Sequence, residues 1–311
     1  MISAAADEVE IVRGDIGFSA YEKLGSYIPH DTLETVSGCS AAICGPTSDF
    51  GEGDAVRNPL DVLIGQLRPF ARAKVYTTLS DDLGAHGPWI TVWGCGPNPS
   101  GEVSETLGVD GITISKYLRS AFYSRMMGAA AADSASKGYT DAACIASPEL
   151  FPESSEIFYS EFEEAFEDSG ISHRRYGISD WISEACRSLD GFQCLVVADL
   201  CLDPVEGAVG GITGRRGTVP VRYVGEFGSL YTVSDGTECT DGSDTVAAIS
   251  AAAQALRDVG LNGRADAVAA ALSGTVSSGE RPACMGGGLA PSDFVDRVCS
   301  RLHEPIKQEP V

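Results

Sequence analysis

Lysine is scarce in this sequence: only five of its 22 basic residues are lysine (Lys23, Lys74, Lys116, Lys137 and Lys307), against 44 acidic residues and a formal charge of −22. So acidic a chain has little with which to neutralise phosphates, which argues against nucleic acid as a partner. Many carboxylates with few lysines suit a protein kept soluble at high salt, where charge repulsion is screened over about 3 Å at 1 M; a GC-rich genome favouring Arg and Ala explains the same bias. No apolar run approaches the roughly 20 residues of a membrane-spanning helix. The opening MISAAADEVE carries neither the basic nor the apolar region of a secretion leader, so the expected location is cytoplasmic. There is no C-x-x-C among the ten scattered cysteines, and the four histidines (His30, His86, His173, His303) never pair at ligand spacing. Buried free thiols are therefore expected rather than disulfides or a zinc site. Also missing are G-x-G-x-x-G, a GK phosphate loop, G-x-S-x-G and H-E-x-x-H.

What is present is a globular composition, 311 residues with 43% hydrophobic and 21% charged, enough for one large or two medium domains. Short apolar runs alternate with helical patterns, as in an α/β protein. AAIC (41–44), WITVW (89–93) and CLVVA (194–198) each run into a loop, the place where such sheets bind ligands. Residues 118–135 and 246–257 are Ala-rich and helical, and 157–166 form an amphipathic helix with a solvated acidic face. Residues 274–291 are rich in Gly, Ser and Pro and are expected to be loop, followed by a closing helix capped by Ser292.

Six segments in order carry a family resemblance. GFSAYEKLGSYIPHDTLE (17–34) with AAICGPTS (41–48) is similar to "A-y-e-k-x-G-x-p-l-P-x-x-T-L-e … aDAvLfGp", and VRNPLDVLIGQLRP (56–69) to "L-R-k-x-L-D-L-Y-A-N-L-R-P". LRSAFYSRMMGAAAADSA (118–135) resembles "iTRkaseRiarfAFeyA", FQCLVVADLCLDPVEG (192–207) resembles "FDVivtxNLfGDIlSD", and MGGGLAPSDF (285–294) resembles "DLGGxastseF". These patterns belong to the isocitrate and 3-isopropylmalate dehydrogenase family. The resemblance implies a two-domain α/β fold, with residues 1–76 plus 215–311 as the large domain and 77–214 as the small one. It implies a dimer, homomeric or with a related subunit, and Mg²⁺- or Mn²⁺-dependent oxidative decarboxylation of a 2-hydroxy acid with NAD or NADP. The family's opening strand-helix unit is missing, the chain beginning at about the second strand, EVEIV.

Such chemistry needs arginine forks for substrate carboxylates, carboxylates for a hard cation and groups that move protons. By the resemblance Arg57 and Arg68 bind substrate, Asp203 is the first metal Asp, and Asp180 stands beside the position (Ser179) of the Asp donated by a partner subunit. Asp180 as cap of the helix beginning WISEAC is the competing reading. Gly236 and Thr237 are what survives of the cofactor loop, now DGTECTDG, where Asp235, Glu238 and Asp241 repel a pyrophosphate. Ser147 holds the Lys position, Glu149 the following Asn position, Gly207 that of the second metal Asp, and Gly94 and Gly101 those of an Arg and a Tyr. A neutral hydroxyl is no proton carrier without a nearby base. The expectation is a divergent family member whose ancestral activity is reduced or lost, or else a non-catalytic partner subunit or anion-binding module of the same fold that takes a small anionic metabolite.

Overall fold

The computed structural model describes residues 1–6, 8–47, 58–84, 89–96, 103–117, 120–226, 228–233 and 242–302. In chain order the elements are α1 (Ile2–Ala5), α2 (Phe18–Leu24), α3 (His30–Gly38), β1 (Ala41–Cys44), α4 (Pro59–Leu67), β2 (Ala71–Tyr76) and β3 (Ile90–Cys95). There follow β4 (Val103–Leu107), β5 (Ile112–Lys116), α5 (Ser120–Ser136), β6 (Asp141–Ala146), α6 (Pro152–Phe166), β7 (Ser172–Gly177), α7 (Ile178–Ala185) and β8 (Cys194–Val197). The last are α8 (Leu202–Ile212), β9 (Val221–Gly225), β10 (Gly228–Thr232), α9 (Ser243–Asp258), α10 (Asn262–Ser277) and α11 (Pro291–Leu302).

Eight strands form one mixed sheet in the order β1-β10-β9-β2-β3-β8-β6-β7, and β4 and β5 form a separate hairpin. β3, β8, β6 and β7 are parallel, and β2 runs against them, so β2 begins where those four end. β9, antiparallel to β2, ends there too. That shared carboxyl edge is where an open α/β sheet binds ligands.

Both faces are covered, which is why β8 reads as an uninterrupted apolar run. Cys194 and Val196 pack against Met126, Phe158 and Phe162 beneath α5 and α6. Leu195 and Val197 pack against Trp181, Val205 and Val209 beneath α7 and α8. A further cluster joins α9, α10 and α11 through Val246, Leu256, Val268 and Phe294. The nine described cysteines are all free thiols, with Cys44, Cys144, Cys194 and Cys201 buried. No described helix is long and apolar enough to cross a membrane.

Four expectations are corrected. EVEIV is not a strand: Val9 packs toward the α9–α11 cluster while Ile11 and Val12 stay exposed, so the segment has no single face to lay on a sheet. Residues 274–277 belong to α10. Asp180 is not a cap, because α7 starts at Ile178 with Gly177 as its N-cap and Asp180 lies within the first turn, where a carboxylate still favours the helix dipole. Nor does Ser292 cap α11, which already begins at Pro291 because proline's fixed φ suits a first helical position.

Candidate functional site

Helix α4 is started by Asn58, whose Oδ1 accepts the N–H of Leu60 at 2.9 Å, and by Pro59 at the first position. It is stopped by Arg68 in a left-handed conformation, φ 48° and ψ 57°. Arg68 is the one non-glycine residue with positive φ among those described, a conformation costing about 1–2 kcal/mol. The strain points an arginine out over the carboxyl edge, and such strain is concentrated at functional positions. Its guanidinium reaches Glu226 at 3.8 Å, and Arg125 reaches the same carboxylate at 3.4 Å while stacking 4.2 Å over the Phe70 ring. Two arginines thus share one acidic partner at an exposed edge, which leaves charge for a ligand anion. Arg57, the other arginine of the expected pair, lies outside the described residues, as do Gly236 and Thr237.

One strand further in, β2 alternates Ala71-Arg72-Ala73-Lys74, and both cations face α8. Lys74 and Glu206 are buried together, Nζ to Oε2 at 2.8 Å. Arg72 contributes a second contact to Glu206 at 3.4 Å and also reaches Asp203 at 3.5 Å. Glu206 is therefore flanked by two cations, whereas Asp203 is exposed and touches one of them at its edge.

This donor set does not fit a divalent cation. Arg72 lies within 3.5 Å of both Asp203 and Glu206, and a second cation beside it is repelled. Position 207, which resembles the second metal Asp, is glycine although an added Cβ meets nothing within 4 Å. Asp180 flanks Gly177 beside Glu149, whose Oε1 lies 3.2 Å from where a Cβ on Gly177 would be; the resemblance expects it to meet Asp203 of a partner subunit, not of its own chain. The one cluster of three metal-capable groups among the described residues is His30, Asp31 and Glu34, exposed on α3 and far from both aspartates in the chain.

Gly94, where the resemblance expects an arginine, is glycine for a steric reason. A Cβ on Gly94 would lie 2.3 Å from Cδ2 of Leu202. Leu202 stands where the resembling pattern "fGDIlSD" has glycine, so a side chain at 94 and Leu202 would occupy the same space. Neither motif alone reveals the exchange.

Ser147 closes the turn after β6, its carbonyl accepting the N–H groups of Leu150 and Phe151. It borders, with Tyr123, Asp199 and Cys201, a hollow of about 20 Å³, room for one water. Lys116, at the end of the hairpin, pairs with Asp199 at 2.6 Å; the sequence offered no way to single it out. Neighbouring groups are poor proton carriers near neutrality. Burial pushes the Tyr123 phenol far above its usual range, with Cys95 and Asp199 adding to the effect. Burial, then the charge of Asp199, pushes the Cys95 thiol up to about 12.

The sequence matches no protein-family model and no curated protein sequence. Solved structures match closely in shape. A beta-decarboxylating dehydrogenase from Thermococcus kodakarensis, in its apo form, superposes with a TM-score of 0.83 at 17% identity, over 97% of this chain and 89% of that one. Isocitrate dehydrogenase from Methylococcus capsulatus gives 0.79 at 16% identity, over 97% and 93%. A protein from Thermus thermophilus gives 0.81 at 14% identity, over 99% of this chain and 65% of that one. The chain has the isocitrate dehydrogenase-like fold. At these identities the likeness establishes the fold alone.

Proposed function

We propose that this chain is a divergent relative of the decarboxylating 2-hydroxy-acid dehydrogenases in which Mg²⁺- and NAD(P)-dependent oxidative decarboxylation is reduced or lost, and in which binding of a small carboxylate-bearing metabolite persists. The observation that carries the reading is Arg72 lodged between Asp203 and Glu206, an internal cation where the ancestral chemistry needs a metal. Gly94 against Leu202, and Ser147 beside a one-water hollow, support it. The retained function rests on Arg68 and Arg125, with Arg57 as a third candidate, and the two lobes divide as 1–76 plus 215–311 and 77–214. The test is NAD(P)H production from isocitrate, isopropylmalate, malate or tartrate with Mg²⁺ or Mn²⁺, alongside metal-free thermal shifts with the same acids. The expected result is little or no turnover and a stabilising shift that Arg68→Ala abolishes; turnover at the rate of an efficient dehydrogenase, about 10 per second or more, overturns the reading.

A non-catalytic subunit of a dimer is the second reading, and the hairpin favours it. Leu107 of β4, Ile112 and Ile114 of β5, and Val109 in the turn between them are all largely exposed, an apolar surface of the kind that marks an interface. Sedimentation of the purified chain, with and without a co-expressed relative, separates self-association from pairing. A strictly monomeric chain in both cases removes this reading.

A further inference from the structure

The central sheet ends in two edge strands, β1 and β7, and they are built differently. β7 carries Arg174 and Arg175, the kind of charge that keeps a foreign strand from pairing with an edge. β1, reading Ala-Ala-Ile-Cys, carries neither charge nor proline. Its ladder to β10 uses one set of backbone groups: the carbonyls of Ser40 and Cys44 accept the N–H groups of Ser229 and Val233. The N–H and C=O of one strand residue point to the same side and those of the next to the other. Ala42 therefore also faces β10, and Ala41 and Ile43 turn their backbone groups to the free edge. Among the described residues no backbone group outside the sheet bonds to either of them.

Residues 9–16 pass over this edge without pairing to it. Val9 packs on the α9–α11 cluster and Ile16 on the cluster of α3 and α4, so the segment crosses from one face of the sheet to the other. Between it and β1 lies a slot of about 320 Å³, walled by α3 on one side and α9 on the other. That volume falls within the range of ligand sites, roughly 300–1,000 Å³. Ile11, Val12, Ile43 and Val259 line the slot and are 47%, 54%, 38% and 41% exposed. Exposed aliphatics gathered in one place mark a surface that something covers. Glu10 is the one charged side chain in the lining among the described residues.

The unpaired backbone selects the occupant. An aliphatic ligand would cover the four side chains but shut the outward groups of Ala41 and Ile43 away from water with no partner. An extended peptide answers both needs, because its backbone pairs with the edge while its side chains alternate toward α3 and α9. The sheet edge of a second copy arrives with helices on both faces and is too thick for a slot that residues 9–16 span.

We propose that the β1 edge binds an extended, β-branched, uncharged segment of a partner protein, added beside β1 to the eight-stranded sheet. The −22 charge of the chain favours basic residues flanking that segment. The inference is independent of the carboxylate site. The probe is a capped peptide of about seven alternating valine and threonine residues, an ordinary strand length, with a lysine at each end. It is titrated into the full chain by calorimetry and by amide hydrogen exchange. Saturable binding is expected, with exchange at the Ala41 and Ile43 amides slowed at least tenfold and the Ala42 amide, already turned to β10, unchanged. Ile43→Lys gives β1 the charge that β7 has, and Ile43→Pro removes an outward donor that the ladder to β10 does not use. Each is expected to weaken the peptide at least tenfold, with the thermal midpoint of Ile43→Lys unchanged. Dodecanoate, as an aliphatic chain without a peptide backbone, is expected to bind more weakly than the peptide. Four results overturn the proposal: no peptide binding to the folded protein, binding that leaves exchange at Ala41 and Ile43 unaltered, binding unaffected by Ile43→Lys, or tighter binding of dodecanoate.

Discussion

The two faces of the central sheet use the same kinds of side chain to opposite ends. On the α8 face, Arg72 and Lys74 are set against Glu206 and Asp203, and the pairing fills the space a metal would take. On the α5 and α9 face, Lys137 and Arg222 are set against Asp133 and Asp258, and the pairing lines a cleft that stays open. The difference lies in what surrounds the charges. Leu202, at the start of α8, packs on Gly94 beside the first group, whereas small alanines of α5 and α9 line the space beside the second. Charge type therefore does not identify a site; the volume left beside the charges and the groups left without partners do.

The sharpest way to break the comparison is to remove one charge from the buried pair. Glu206→Ala removes the carboxylate 2.8 Å from the buried Lys74 ammonium and is expected to cost about 3–5 kcal/mol in chemical denaturation. The double variant Lys74→Met with Glu206→Leu is expected to lie much closer to the unmodified protein, because no charge is left unpaired. If both variants lose the same stability, the pair is not what holds α8 to β2.

A smaller effect tests the exchange between strand and helix. Gly94→Ala forces its Cβ into Leu202 and is expected to cost about 1–3 kcal/mol. Leu202→Gly in the same chain is expected to remove that cost for Gly94→Ala, read as non-additivity in a double-mutant cycle. At the edge, Arg68→Gly relieves the left-handed backbone and is expected to raise stability by about 1 kcal/mol while abolishing the carboxylate-induced thermal shift. Stability gained without loss of binding would place the anion elsewhere.

The smallest effect at neutral pH is the titration of buried thiols. Burial pushes Cys44 up to about 11 and Cys194 up to about 12, from 9.0. The folded chain thus keeps protons that the unfolded chain releases above pH 9. Stability from these groups is complete below pH 9 and is lost as pH rises through 11 to 12, so denaturation midpoints are expected to be flat from pH 7 to 9 and to fall beyond.

Much of the fold was legible in the sequence because it is carried by patterns that are local. AAIC and CLVV are strands close to where their apolar runs stand, and the acidic flank of α6 is solvated as its period requires. Helix α10 was not legible, since Ala and Gly dominate NGRADAVAAALSGTVS and blur any apolar stripe. In the site, Arg68 and Asp203 stand out by their motifs, and the structure brings each beside a charged partner. The alternation Ala-Arg-Ala-Lys in β2 was a signal left unused: period two puts both cations on one face, and buried cations require carboxylates opposite. The meeting of Gly94 with Leu202 was beyond reach, because a contact between strand and helix has no spacing in the chain.

The central claim, that Arg72 takes the place of a divalent ion, is tested most directly by titrating Mn²⁺ into the unmodified protein and into Arg72→Met, followed by electron paramagnetic resonance. No Mn²⁺ site tighter than the millimolar range is expected in the unmodified protein, and a new one, abolished by adding Asp203→Asn, is expected in Arg72→Met. A micromolar Mn²⁺ site in the unmodified protein that Asp203→Asn removes would contradict the claim.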